Sequence, residues 1–488
     1  MTALLWLRRD LRLHDHPALA AALEEHDAVV PVFCLDDRLL DGRHRSAPRA
    51  AFLSACLAEL DRDLRARGSR LVILTGRPET ELPRLARQVA ADEVYASADV
   101  SPFARRRDRA AEQALQSLGV RLRLRPGCFV VDDPAPILSG AGTPYTVFTP
   151  FHRRWLAEPR RGVLAAPGEL PGVAPDLSSD RLPAFGELPP EPAAPPGEAA
   201  ARERMLAFTA TGAAAYGHAH DALAEAGTSR LSAYLHFGCV SARELESRLP
   251  ENDGAEQARR QLCWRDFYAH VLRHHPGNVE AEQQASLRRR IRWSRSQTAF
   301  DAWCAGRTGY PLVDAGMREL ALTGYMHNRA RLVVGSFLVK DMGIDWRWGE
   351  RWFMRSLLDG DEANNNGNWQ WIASVGVDPQ PPSRRMFNPT LQMERFDPDG
   401  AYVRRYVPEL RPVPEEYLRE PWTMPEGLQR QVGCVIGRDY PAPILDHAQA
   451  RREAIARYAE ARAAGDAAPA GADPGAVNRR SSQPSATA

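Results

Sequence analysis

Residues 157 to 200 divide the chain into two stretches that cannot belong to one repeating fold. This segment, with its run LAAPGELPGVAPDLSSDRLPAFGELPPEPAAPPGEAA, is so rich in proline and glycine that neither a helix nor a central strand can pass through it. Before it, the short apolar runs ALLWL, AVVPVFCL, RLVILTG, DEVYAS and RLRLRPG alternate with amphipathic stretches such as RAAFLSACLAELDRDLRARG. Strands spaced by helices in this rhythm predict a parallel, doubly wound α/β sheet. After the break the apolar spacing turns to three and four with little β-branching, which predicts an all-α domain. The expected division is an α/β domain over 1–135, a linker over 136–199, a helical domain over 200–463 and a disordered tail over 464–488, whose composition has almost no large apolar residue.

At 488 residues, two cores are expected rather than one. No apolar run is long enough to span a membrane, and the N-terminus is charged too early for a signal peptide. The seven cysteines are scattered without a CxxC pair, so no metal site is expected and a reducing cytoplasm is the simple reading. Net charge is +1, so a polyanionic partner must be met by a local patch. Lys340 is the only lysine; the other basic side chains are arginines. Nine of the eleven tryptophans lie from Trp264 onward, which places the aromatic chemistry in the second domain.

Three segments there carry polar groups where a core would carry aliphatic ones. In YGHAHDALAEAGTSRLSAYLHFG, the residues Thr228, Ser229 and Ser232 open a helix. Plain N-capping explains them, but Arg230 within the cap and Tyr216 upstream favour a diphosphate site. It is not a Walker loop, and no GxGxxG follows the first strand. In RRQLCWRDFYAHV, Gln261, Trp264, Arg265 and Tyr268 share one helix face. That face suits either a flat heteroaromatic ligand or an interface helix. In GYMHNRARLVVGSF, Arg331 needs an anion, and Asp359 or Asp361 of DGDEANNNGNWQW is the expected partner.

The ordered set WLRRDLRLHDHPAL, PYTVFTPFHRRW, GTSRLSAYLHFG, WRDFYAHV, TGYPLVDAGMREL, GYMHNR, IDWRWGERWF, DGDEANNNGNWQW and FNPTLQ resembles the photolyase/cryptochrome family. The resemblance runs from residue 4 to about 460 and is nearest to class I bacterial dimer photolyases. It implies a helical domain holding a folded FAD, and light-driven electron-transfer repair of cyclobutane pyrimidine dimers flipped out of DNA. It implies a UV-damaged DNA partner, no membrane partner and a monomer. By the same resemblance, Tyr216, Thr228, Ser229, Arg230, Leu231 and Ser232 hold the FAD phosphates and ribityl chain. Arg331, Asp359, Gly360 and Asp361 line the flavin, and Asn365 faces its N5. Trp369, Trp346 and Trp293 form an electron chain; without the resemblance they read as core tryptophans. Trp303 is a side branch, while Trp348 and Trp352 are packing. Trp264 and Trp371 bracket the lesion with Asn328 in contact, and Arg265, Tyr268, Arg329, Arg384, Arg385 and Gln392 lie near the DNA.

The lesion pocket departs from that pattern at two positions. Gln261 stands where dimer photolyases of this class carry glutamate, and Leu332 where methionine is common. Glutamine there also occurs in relatives that repair (6-4) photoproducts, but these resemble one another in a histidine pair. Here the positions read Asn328 and Leu332, with only His327 nearby. A light sensor of the cryptochrome type is the rival from another class. The DVSPFARRRDRA segment, with Phe103 and Ala104, lies where relatives bind an antenna. The candidates for it are 8-hydroxy-deazaflavin, methenyltetrahydrofolate or no antenna at all.

Overall fold

The computed structural model describes residues 1–466 apart from His44 and Pro379. Five parallel strands form one sheet: β1 (Thr2–Leu7), β2 (Ala28–Leu35), β3 (Val72–Thr75), β4 (Ala91–Ser97) and β5 (Arg121–Arg125), in the order β3-β2-β1-β4-β5. All five apolar runs therefore become strands. Both faces are covered, because alternate residues feed opposite layers. Leu5, Leu7, Phe33, Ile73 and Tyr95 pack into one core, while Leu4, Trp6, Val32, Val72 and Val94 pack into the other. The crossovers carry α1 (Pro17–Glu25), α2 (Ala47–Arg65), α3 (Pro78–Gln88) and α4 (Pro102–Gln116). Edge strand β5 presents arginines at alternate positions; Arg121 and Arg123 pair with Glu93 and block further strand addition.

After α5 (Phe148–Ala157), the chain has no helix or strand until Glu198, as its prolines require. From there it is helical. The elements that matter below are α6 (Ser232–Phe237), α7 (Asp253–His274), α8 (Asn328–Ser336), α9 (Trp346–Ser356), α10 (Glu362–Ile372) and α11 (His447–Asp466). Residues 464–466 close α11, and the remainder of the expected tail, 467–488, lies outside the described residues. No helix among the described residues is long and apolar enough to cross a membrane.

The motif WLRRDLRLHDHPAL fastens the two halves together. Arg12 is fully buried, donating to the carbonyls of Gly127 (2.8 Å), Asp15 (2.9 Å) and Gly238 (3.0 Å). His14 Nδ1 meets Glu198 at 2.8 Å, Asp15 accepts from Arg161 (2.9 Å) and Ser241, and Arg9 pairs with Asp361. A buried guanidinium whose fork meets only fixed carbonyls defines one relative placement of the segments it joins.

Candidate flavin and lesion site

Helix α10 holds the centre of the site. Asp361 caps it by accepting from Asn364 N at 2.8 Å. Burial opposes ionisation of Asp361, but Arg9 and Arg265 outweigh it and hold the carboxyl well below its usual range. Asn366 and Gln370 anchor one side of the helix, each donating to the Asn278 carbonyl at 2.9 Å. Asn365, Trp369 and Ile372 lie on another side, all buried. The Asn365 Nδ2 donates to the Glu350 carbonyl at 3.0 Å and to its carboxylate at 3.3 Å. A carbonyl only accepts, so this bond fixes the amide's orientation and leaves Oδ1 as the free acceptor.

Trp369 reaches this position because α9 presents a glycine to it. A Cβ added at Gly349 would lie 2.1 Å from Trp369 Cη2 and 2.6 Å from Leu338 Cδ2. Gly349→Ala is therefore expected to cost about 1–3 kcal/mol or more and to push the indole from its seat. Thermal unfolding and the fluorescence of a bound flavin check it; an unchanged midpoint counts against this packing.

Asp359 Oδ2 accepts from Arg331 Nη2 at 2.8 Å, as expected from the sequence. Arg331 Nε also holds the Met326 carbonyl at 2.8 Å. Tyr325, which the sequence reading did not single out, connects this pair to the phosphate loop: Arg331 and Arg230 lie over its ring at 5.4 and 5.5 Å. The only sequence signal for it was its place in GYMHNR. Arg230 has φ +49°, a strained conformation for a side-chain-bearing residue. Gly227 before the loop is required, since a Cβ would meet the Ala219 carbonyl at 2.2 Å. Thr228, Ser229 and Ser232 are half-buried, Leu231 is buried, and Tyr216 stacks on His220 at 5.0 Å.

These residues suit FAD: the Arg230 guanidinium and loop hydroxyls for a diphosphate, and the Arg331–Asp359 pair, a free amide acceptor and an indole for the ring. The half-open cavity lined by Arg331, Asp359, Gly360, Asn365 and Trp369 is only about 90 Å³, so an isoalloxazine would fill it and extend past it. A larger cavity, about 620 Å³, lies elsewhere, at the carboxyl ends of β1, β2 and β4, where strand order switches direction. Trp6, Asp36, Arg38, Asp99, Phe103 and Arg107 line it, and Gly360 touches both cavities. Arg8 and Arg107 lie over Trp6 at 4.5 and 4.9 Å.

The close ring neighbours of Trp369 among the described residues are Phe353 (5.0 Å) and Trp303 (6.3 Å), not Trp346. Trp303 donates to the Val334 carbonyl at 3.0 Å, and beyond it Phe300 leads to Trp348 and Trp352. Trp346 is fully buried with its N–H unpaired and Arg347 over its ring at 4.7 Å. Trp293 is half-buried against Tyr458.

On the open side, Trp264 and Trp371 are both half-buried, and each has one face covered. Phe148 stacks on Trp264 at 3.7 Å and 4°, and the Arg385 guanidinium lies 3.9 Å from the Trp371 ring. Gln261 and Asn328 are exposed nearby in the chain. Three of the arginines expected near the DNA hold partners within the protein. Arg385 is buried, donating to the carbonyls of Trp371 (3.0 Å) and Asp378 (2.5 Å), and burial pulls it down to about 10. Arg265 turns inward to the carbonyls of Cys128 (2.6 Å) and Leu235 (3.2 Å). Arg329 forks onto Asp221 at 2.6 and 3.2 Å. Tyr268 is buried too, whereas Arg384 is exposed and Gln392 half-buried.

A doubly wound sheet fastened to a helical domain whose residues suit FAD is the architecture of light-driven flavoproteins, and the chain belongs to the photolyase/cryptochrome family. Residues 3–171 match the family described as DNA photolyase, and residues 258–460 match the FAD binding domain of DNA photolyase. The chain is 43% identical to the deoxyribodipyrimidine photo-lyase of Streptomyces griseus, covering 93% of this chain and 97% of that one. It is 39% identical to that of a Synechococcus strain, covering 94% and 97%. Its fold superposes on a bacterial class III photolyase from Agrobacterium tumefaciens with TM-score 0.89, at 34% identity, covering 95% of this chain and 98% of that one.

Proposed function

We propose that the protein is a deoxyribodipyrimidine photo-lyase, repairing cyclobutane pyrimidine dimers in DNA. The observation that supports it most is the pair of half-buried indoles, Trp264 and Trp371, each backed on one face, by the Phe148 ring and by the Arg385 guanidinium. Backed indoles of this kind suit the stacking of two pyrimidines taken out of the duplex. Bound reduced FAD would supply the light-excited electron that opens the cyclobutane ring.

The chain's own residues then have distinct tasks. Asn365 Oδ1 would accept from a proton-bearing flavin N5, the Arg331–Asp359 pair would line the flavin, and Arg230 would meet the diphosphate. Trp369 would be the electron donor to oxidised cofactor, and Gln261 and Asn328 would meet the lesion's edge. His327 takes no part as an acid. Its Nδ1 accepts from Arg329 N at 3.2 Å as the cap of α8, and burial pulls the ring down to about 4, so it is neutral at pH 7. That favours dimers over (6-4) products, whose repair calls for an acid. The 620 Å³ cavity, with arginines stacked on aromatic rings, is the proposed antenna seat for a flat anionic chromophore. Seven free thiols suit a reducing cytoplasm.

Reduced holoenzyme given a dimer-containing oligothymidylate is expected to restore thymine absorbance in light and not in darkness. A flavin-loaded, photoreducible protein that restores none overturns dimer repair in favour of a sensor. Recovery on a (6-4) oligonucleotide alone would move the substrate.

A further inference from the structure

We infer that Asn368, supported by Asn364, is a lesion-contacting and specificity-determining residue; this deepens the dimer-repair reading and rests on it. Successive residues of an α-helix turn by about 100°, so Asn364, Asn368 and Trp371 fall within roughly 60° of one another on α10. They form a stripe about 100° away from the Asn365–Trp369–Ile372 stripe. Burial follows the same division. Asn365, Trp369 and Ile372 are buried, Asn364 and Trp371 are half-buried, and Asn368 is exposed. Asn364 and Asn368 line the same cavity as Asn328 and Leu332.

Helix α7 meets this stripe directly. A Cβ on Gly367 would lie 2.1 Å from Tyr268 Cδ1, so the two helices close tightly at that level. The Tyr268 hydroxyl donates to Asn368 Oδ1 at 3.4 Å. Tyr268 shares its helix face with Gln261 and Trp264, which sets Asn368 on the seam between the lesion-facing stripes of the two helices.

The atoms of Asn368 are only partly committed. Nδ2 donates once, to the Asn364 carbonyl at 2.8 Å, leaving one N–H free, and Oδ1 keeps a lone pair. Asn364 Nδ2 is tied to Asp361 at 2.7 Å, leaving its Oδ1. A pyrimidine edge presents carbonyl oxygens and an N3–H, and a free amide donor and acceptor complement both. Asn328, Asn364 and Asn368 thus put three neutral amides on one cavity, in which Asn368 supplies a contact that does not titrate.

The test uses flavin-loaded Asn368→Ala and Asn368→Asp, binding dimer-containing and undamaged oligonucleotides in darkness, read by fluorescence anisotropy. Removing one hydrogen bond is expected to lower the preference for the dimer about five- to tenfold in Asn368→Ala. Asn368→Asp, which sets a carboxylate against carbonyl oxygens, loses more; preferences are compared at equal flavin content. If the unmodified protein prefers the dimer and both variants keep that preference, the assignment of Asn368 is overturned while dimer repair stands. If the unmodified protein binds both DNAs alike, the dimer reading and this inference fall together.

Discussion

Trp369→Phe is expected to abolish light-driven reduction of bound oxidised flavin, while protein reduced chemically still repairs dimers. Trp369 is buried four residues, one helical turn, from Asn365, so its indole is the oxidisable ring on the stripe that faces the cofactor pocket. Losing an electron leaves positive charge on an indole, and what surrounds the ring decides where that charge settles. At Trp346 a guanidinium 4.7 Å over the face opposes it, and the buried N–H has no acceptor. At Trp303 the N–H points into a carbonyl at 3.0 Å, which favours it. Trp346→Phe alone should therefore retain some photoreduction through Trp303. The double variant Trp303→Phe with Trp346→Phe should lose it as fully as Trp369→Phe. Transient absorption of the flavin measures all three, and undiminished photoreduction in Trp369→Phe refutes the chain.

Asp359→Asn is expected to weaken FAD retention by roughly 30- to 150-fold. Breaking a buried ion pair by removing one partner costs about 3–5 kcal/mol, and because the Arg331 side chain keeps 26% of its exposure, about 2–3 kcal/mol is the discounted figure. The loss falls on cofactor binding because Arg331 would be left with only the Met326 carbonyl and the Tyr325 ring beside Arg230. Equilibrium titration of apoprotein with FAD gives the ratio. Unaltered affinity would mean that the pair serves the fold alone.

Much of this could be read from the sequence, for definite physical reasons. Strands β1 to β4 announced themselves because a sheet buried on both faces demands continuous apolar runs, and edge strand β5 by its alternation of arginine and leucine. Arg331 with Asp359 was legible because a guanidinium in an apolar helix needs an anion. The burial of Arg385 was not legible, because a loop of prolines and arginines looks solvated while here the guanidinium folds back onto the Trp371 and Asp378 carbonyls. The Arg265 contact was not legible either, because helical spacing says which residues share a face but not which of them meet a second domain, here the Cys128 carbonyl. Tyr325 could not be found from periodicity, since its importance comes from two arginines 101 residues apart in the chain, at 230 and 331.

The arrangement of α10 also limits how this protein can change over time. The two stripes line one cavity, so a substitution on either is expected to be felt by both lesion preference and cofactor chemistry. Length cannot be tuned at all. One residue inserted between Asn365 and Asn368 would turn everything after it by about 100° and bring the Asn368 amide to where the Trp369 indole now lies. A library of single-residue insertions and deletions across 361–372 would therefore be far more damaging than a substitution library over the same positions.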